Sequence, residues 1–142
     1  GLIIWNHRWE YDKNPELFLE ILRLLKAKGG EISGAQFKLA LLGPRPDKTP
    51  KALAQIRTEF AEHIIADGML PRAEYERIVG QGQFVISTAI HEFQGLSVQE
   101  AVSAGAIPVV PDDLCYVEQY PAENRYKAGD AEKVRYKLQK DM

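Results

Sequence analysis

The chain has 142 residues, 45% of them hydrophobic, and its 18 basic and 20 acidic side chains leave a net charge of −2. That length fits one domain with an ordinary core and excludes a complete two-lobed enzyme; the charge balance argues against a chain whose main task is to coat nucleic acid or an anionic membrane. The one cysteine, Cys115, cannot close an internal disulfide, and no apolar run approaches the roughly 18 residues of a membrane-spanning helix.

Leu2 to Trp5 is apolar throughout and predicts a buried first strand. The chain enters that strand directly at Gly1, without an initiator Met or a leader, which predicts a piece of a longer protein. Asn14-Pro15-Glu16 then combines an N-cap, a proline at the first helical position and an acid in the first turn. Leu17, Ile21, Leu24 and Leu25, flanked by Phe18 and Leu22, give that helix an apolar stripe, and Gly29-Gly30 stops it. Phe37 to Leu42 predicts a central strand, Gly43 to Asp47 a loop, and Lys51 to Phe60 a helix. A short strand at Ile64-Ile65 ends on Asp67-Gly68, and Pro71 opens a helix running through Tyr75 to Val79. Phe84 to Ser87 predicts a strand, Thr88 to Gln94 a loop, and Gly95 to Ala104 a helix stopped by Gly105. Ile107 to Val110 is the last expected strand, and Ala131 to Gln139 the last helix.

Short apolar runs alternating with amphipathic stretches form the pattern of βαβ units around a parallel sheet. The expected fold is therefore α/β, a Rossmann-like three-layer sandwich in one domain over 1–142. Ligands of such sheets lie beyond the carboxyl ends of the strands, so the loops after each strand are where chemistry is expected. Neither the glycine-rich dinucleotide signature nor the phosphate-loop pattern is present. The first loop instead carries two cations, Arg8 and Lys13, suited to an anion; they can equally be solvated charges paired with Glu10 and Asp12. The loop after the fourth strand delivers Glu92 and then starts a helix at Gly95-Leu96, whose amides can receive a phosphate. Gly95 permits close approach to the backbone, and Glu100, set among the small residues Ser97, Ala101 and Ala104, can accept two bonds from a vicinal diol. On their own, Glu100 also fits a surface helix and Glu92 a helix N-terminal acceptor.

His7 and His91 are read as loop-ordering hydrogen-bond formers rather than a metal pair, His63 as a strand-edge residue, and Trp5 and Trp9 as packing residues. Lys133, Arg135, Lys137 and Lys140 make the tail basic; a solvated helix face is the default reading, contact with RNA the alternative.

Two runs in order, Glu92 to Ala101 and Ser103 to Val110, resemble the donor-site motif of the family 4 retaining glycosyltransferases, and Arg8 with Lys13 resembles the cation pair of that family's second lobe. The resemblance covers essentially the whole chain. More narrowly, Trp5 to Lys13, Ser87 to Phe93 and Pro111 to Tyr116 resemble the tRNA-queuosine mannosyltransferase group, whose members move mannose from GDP-mannose to queuosine in a tRNA anticodon. Asp67-Gly68-Met69 stands where that group's Trp-Gly-Tyr is expected, which makes Gly68 and Met69 the implied base-side positions.

The resemblance implies the C-terminal, donor-binding lobe of a GT-B hexosyltransferase, with the acceptor lobe N-terminal to this chain and the chain inactive by itself. It implies that Arg8 and Lys13 hold the donor diphosphate, that the Gly95 and Leu96 amides complete its cradle, and that Glu100 holds the ribose. Glu92 is implied to bind a sugar hydroxyl and to favour the positive charge developing at the anomeric carbon. A nucleotide-sugar, with GDP-mannose the expected one, is the substrate; no metal or other cofactor is expected. The implied partners are the acceptor lobe and tRNA, and the implied compartment is the cytoplasm. A different nucleotide-sugar with a polysaccharide or lipid acceptor is the alternative enzyme, and a non-catalytic interaction domain the alternative outside catalysis.

Overall fold

The computed structural model describes residues 1–44 and 48–140; Arg45, Pro46 and Asp47, read above as loop, and residues 141–142 lie outside the described residues. In chain order the elements are β1 Leu2–Trp5, α1 Pro15–Ala27, β2 Glu31–Ile32, β3 Ala35–Gln36, β4 Lys38–Leu41, α2 Lys51–Glu59 and β5 Ile64–Asp67. They continue with α3 Arg72–Val79, β6 Phe84–Ile86, α4 Leu96–Ser103, β7 Ile107–Pro111, α5 Tyr116–Gln119, β8 Arg125–Tyr126 and α6 Ala131–Gln139. β2 and β3 form a small antiparallel hairpin of their own. The other strands make a six-stranded sheet in the order β5-β4-β1-β6-β7-β8, with every pairing parallel.

The expected α/β three-layer sandwich is therefore present, and its two faces follow from the period of two along each strand. Ile3 and Trp5 of β1, Leu39 and Leu41 of β4, and Phe84 and Ile86 of β6 enter the core beneath α1, α2 and α6. Their neighbours Leu2, Ile4, Ala40 and Val85 enter the opposite core with Val98 of α4 and Ile78 of α3. Burial on both faces is why these strands are continuously apolar, not alternating. Trp5 and Trp9 are wholly buried, as expected of packing residues, with Trp5 stacked on Phe18 at 4.4 Å between ring centroids.

The α1 cap is built as the sequence predicts. Asn14 adopts a left-handed conformation at φ 49°, and its side chain accepts the Leu17 amide at 3.3 Å. His63 is buried, stacked on Phe37 at 4.0 Å, with its Nδ1 2.8 Å from the Phe37 carbonyl. It joins β4 to the turn ahead of β5.

Because the main sheet is parallel, the loops after β1, β4, β5 and β6 emerge at one edge. Two of them meet at Gly43. A β-carbon there would stand 1.4 Å from the His7 carbonyl oxygen, so the approach of the β4 loop to the β1 loop depends on the missing side chain.

Candidate active-site cleft

The loop after β1 and the loop after β6 are fastened to one another. The Thr88 hydroxyl donates to the Lys13 carbonyl at 2.6 Å and lies 2.9 Å from the Asn14 carbonyl, while the Ile90 amide donates to the Asp12 carbonyl at 2.7 Å. Beneath them the Ser87 carbonyl accepts the Tyr126 hydroxyl at 2.6 Å, and the Ser87 hydroxyl lies 2.9 Å from that of Tyr116. Burial raises the pKa of both tyrosines, keeping them neutral.

This fastening brings Lys13 and Glu92 together. The Lys13 ammonium donates to Glu92 Oε2 at 2.7 Å and to the His91 carbonyl at 3.1 Å, and the two side chains are only 14% and 16% exposed. An ammonium has three N–H groups, so one remains for a ligand. Glu92 Oε1 accepts the Gly95 amide at 3.2 Å. Burial pushes the Glu92 carboxyl up, but the bond and charge of Lys13 together with the Gly95 amide outweigh it, leaving the group below the ordinary carboxylate range. Glu92 is thus an ionised acceptor fixed at the first turn of α4.

Gly95 sits at φ 65°, ψ 39° as the N-cap of α4. A β-carbon there would come within 3.0 Å of the Tyr116 ring. Its amide is committed to Glu92, so the amides facing an anion at this helix start with Leu96. Arg8 lies on the same side, 60% exposed, its Nε donating to Glu10 at 3.0 Å. The pairing with Glu10 weighed from the sequence is present, on a side chain exposed enough to reorient.

His7 is 3% exposed. Its Nε2 is 2.8 Å from the Ile86 carbonyl and its Nδ1 3.0 Å from the Ser97 hydroxyl. A carbonyl can only accept, so Nε2 carries the proton and the Ser97 hydroxyl donates to Nδ1. His7 is a neutral tie between β1, β6 and the start of α4, the loop-ordering role expected of it. Burial pulls its pKa down to about 4, against the opposing pull of the Ile86 carbonyl and Glu92.

Acid stability follows. Between the ordinary histidine value of 6.5 and about 4, the unfolded chain binds a proton at this position and the folded chain does not, so stability rises with pH through that interval and levels off above it. The loss on going down to pH 4 is about 3 kcal/mol. Glu92, depressed in the fold, loses its contribution over the same acid side. Chemical denaturation in a pH series is expected to show a plateau near neutrality and a fall below pH 6.5, made shallower by His7→Gln; an unchanged slope in that variant would contradict the assignment.

Two adjoining cavities run along this edge. One of about 380 Å³ is lined by Arg8, Lys13, Glu92, Phe93, Leu96 and Ser97 among others. The other, about 310 Å³, is walled by Leu42, Met69, Leu70, Arg72, Tyr75 and Glu100. Asn6 and Pro44 line both, so the two form one cleft with a charged end and a largely apolar end. Of the residues singled out in the sequence, Arg8, Lys13, Glu92 and Leu96 meet in the first part, and Met69 and Glu100 in the second. Gly68 lines neither; at φ 105° it turns the chain after β5 and presents Met69, 72% exposed, to the cleft. Asn6, Arg72 and Tyr75 were not singled out. Of the tail's basic side chains, Lys133, Arg135 and Lys137 lie on α6, which packs against α1, and Lys140 follows it; none lines either cavity.

The chain is 36% identical over 129 residues to the tRNA-queuosine alpha-mannosyltransferase of Drosophila melanogaster. That match takes in 91% of this chain and 33% of the relative, so the chain spans about a third of the length of the curated relative it matches. The fold superimposes on the catalytic domain of the cholesterol-alpha-glucosyltransferase from Helicobacter pylori with a TM-score of 0.74 at 20% identity, covering 96% of this chain and 82% of that one. It also superimposes on S. aureus TarM, in a mutant bound to fondaparinux, alpha-GlcNAc-glycerol and UDP, with a TM-score of 0.76 at 19% identity, covering 98% of this chain and 28% of that one. No protein-family model matches the chain. The resemblance drawn from the motifs is borne out: the fold is that of a GT-B glycosyltransferase lobe, and the sequence relationship is to a tRNA-queuosine mannosyltransferase.

Proposed function

We propose that this chain, a GT-B lobe by fold and a relative of a tRNA-queuosine mannosyltransferase by sequence, is the donor-binding half of a retaining glycosyltransferase that moves mannose from GDP-mannose to queuosine in tRNA, in the cytoplasm. The observation that carries this reading is the two-part cleft at the carboxyl edge of the sheet. Its charged part holds Lys13, Arg8 and the α4 N-terminus; its apolar part ends on Glu100.

In this reading the diphosphate lies against Lys13, Arg8 and the Leu96 amide, and the nucleoside extends past Asn6 toward Met69 and Glu100. Glu100 accepts from the ribose hydroxyls. As the bond from the anomeric carbon to the diphosphate breaks, negative charge grows on the leaving phosphate and positive charge on the sugar. Lys13 and Arg8 meet the first, and one such preorganised donor is worth about 3 kcal/mol of barrier. Glu92, ionised and oriented by Lys13 and Gly95, meets the second and accepts from a sugar hydroxyl. The charge on the diphosphate is carried by side chains and backbone amides, without a metal. The acceptor side of the reaction belongs to a preceding lobe, so the chain by itself is expected to bind donor without transferring sugar.

Calorimetric titration of the chain with GDP, UDP and ADP tests the reading. GDP is expected to bind most tightly, with heat lost in Glu100→Ala. Absence of binding by all three would overturn the donor-site reading, and preference for UDP would replace the donor while keeping the cleft.

A further inference from the structure

Asn6, at the end of β1, is 7% exposed and lies where the two parts of the cleft join. Its Nδ2 donates to the Ser97 carbonyl at 2.9 Å and to the Tyr75 hydroxyl at 3.0 Å. An amide nitrogen has no lone pair to offer, so in the second contact the tyrosine oxygen is the acceptor. The phenolic proton of Tyr75 is therefore left to point elsewhere, and the carboxylate that lines the same cavity is Glu100. The Asn6 Oδ1 is buried with no hydrogen-bond partner among the described residues. A buried acceptor left unmatched is a stability cost, and the side chain bears it while spending both amide protons on this arrangement.

We propose that Asn6 and Tyr75 are positioning residues that set the orientation of Glu100 for the ribose of a bound nucleoside diphosphate. The proposal rests on the reading of the cleft given above. The path begins on α4 at the Ser97 carbonyl, crosses Asn6 of the β1 loop and reaches Tyr75 of α3, which walls the same cavity as Glu100 of α4. Arg72 adds a second hold: its guanidinium stands 3.6 Å from Glu100 and 5.5 Å from the Tyr75 ring centre, with its Nε on Glu76. Arg72 is 67% exposed, whereas the Tyr75 hydroxyl is half-buried, with its pKa pushed up to about 12 chiefly by that burial. The tyrosine is the fixed member and stays a proton donor across the whole working pH range.

Tyr75→Phe removes the hydroxyl and keeps the ring. It is expected to weaken GDP binding about fivefold to tenfold, to leave 2′,3′-dideoxy-GDP and pyrophosphate binding unchanged, and to have no further effect when Glu100 is already alanine. Asn6→Ala is expected to give the same selective loss, with the thermal midpoint recorded to confirm that both variants fold. An equal loss for GDP and the dideoxy analogue, or a loss that persists in the Glu100→Ala background, would overturn the proposal. Wild-type binding of none of these compounds would overturn the underlying cleft reading, a result distinct from intact GDP binding in Tyr75→Phe, which would overturn only the positioning role.

Discussion

Lys13→Met is expected to weaken GDP binding by roughly 10- to 100-fold, the loss of one charge-assisted bond to a diphosphate. Methionine keeps most of the side chain's apolar length and removes only the ammonium. The same change removes the ion pair to Glu92 in a place where both side chains are mostly buried. Leaving that carboxylate with the Gly95 amide as its remaining hydrogen bond costs about 1–3 kcal/mol of stability. The two effects separate experimentally. Calorimetry with GDP reads the first, and denaturant unfolding without nucleotide reads the second. Glu92 in this variant also loses both the bond and the charge of Lys13, so burial moves its carboxyl up relative to the parent chain and its stabilising contribution shrinks. GDP affinity equal to that of the parent would remove Lys13 from the phosphate site, whatever the stability.

Gly43→Ala is the substitution with the largest expected cost to the fold. The added carbon would lie 1.4 Å from the His7 carbonyl oxygen and 2.4 Å from its carbonyl carbon. Both are backbone atoms, so no side-chain rotation relieves the overlap. The β4 loop and the β1 loop must separate, and His7 lies between Ile86 and Ser97 on that second loop. A loss of about 3–5 kcal/mol is expected, in the range of overpacking that forces backbone to move. The parting of the loops widens the cleft at Pro44 and Asn6, so GDP binding is expected to fall as well. A melting temperature within a degree of the parent would mean that the close approach is not required.

The layers of the fold were legible because they depend on local pattern. β1, β4, β6 and β7 are short apolar runs, and α1 carries a cap at Asn14 that holds in the structure. The elements that went unread are too short to hold a pattern. β2 and β3 are two residues each, a hairpin after Gly29-Gly30, a pair that in the sequence marks only a helix stop. β8 is also two residues long, and it is a strand only because it adds to the edge of β7. α5 is a single turn held by the buried ring of Tyr116. In the cleft, Arg8, Lys13 and Glu92 were legible as charges after strand ends and ahead of a helix, whereas Glu100, inside α4, was legible only through the motif resemblance. Asn6 and Tyr75 were not. Their significance is a hydrogen bond between residues 69 positions apart, and nothing in the composition of either segment announces it. Gly43 carried a weaker signal, a glycine directly after a central strand, which reads as a turn long before it reads as a contact with His7.

Backbone amide chemical-shift mapping of the isotope-labelled chain titrated with GDP shows directly whether the carboxyl edge of this sheet is a nucleoside diphosphate site. The largest shifts are expected at the amides of Asn6, Lys13, Met69, Leu96 and Ser97, with those of α6 unmoved. Shifts confined to the opposite, amino-terminal edge near Phe84, Ile107 and Lys137, or no shifts at saturating GDP, would contradict it.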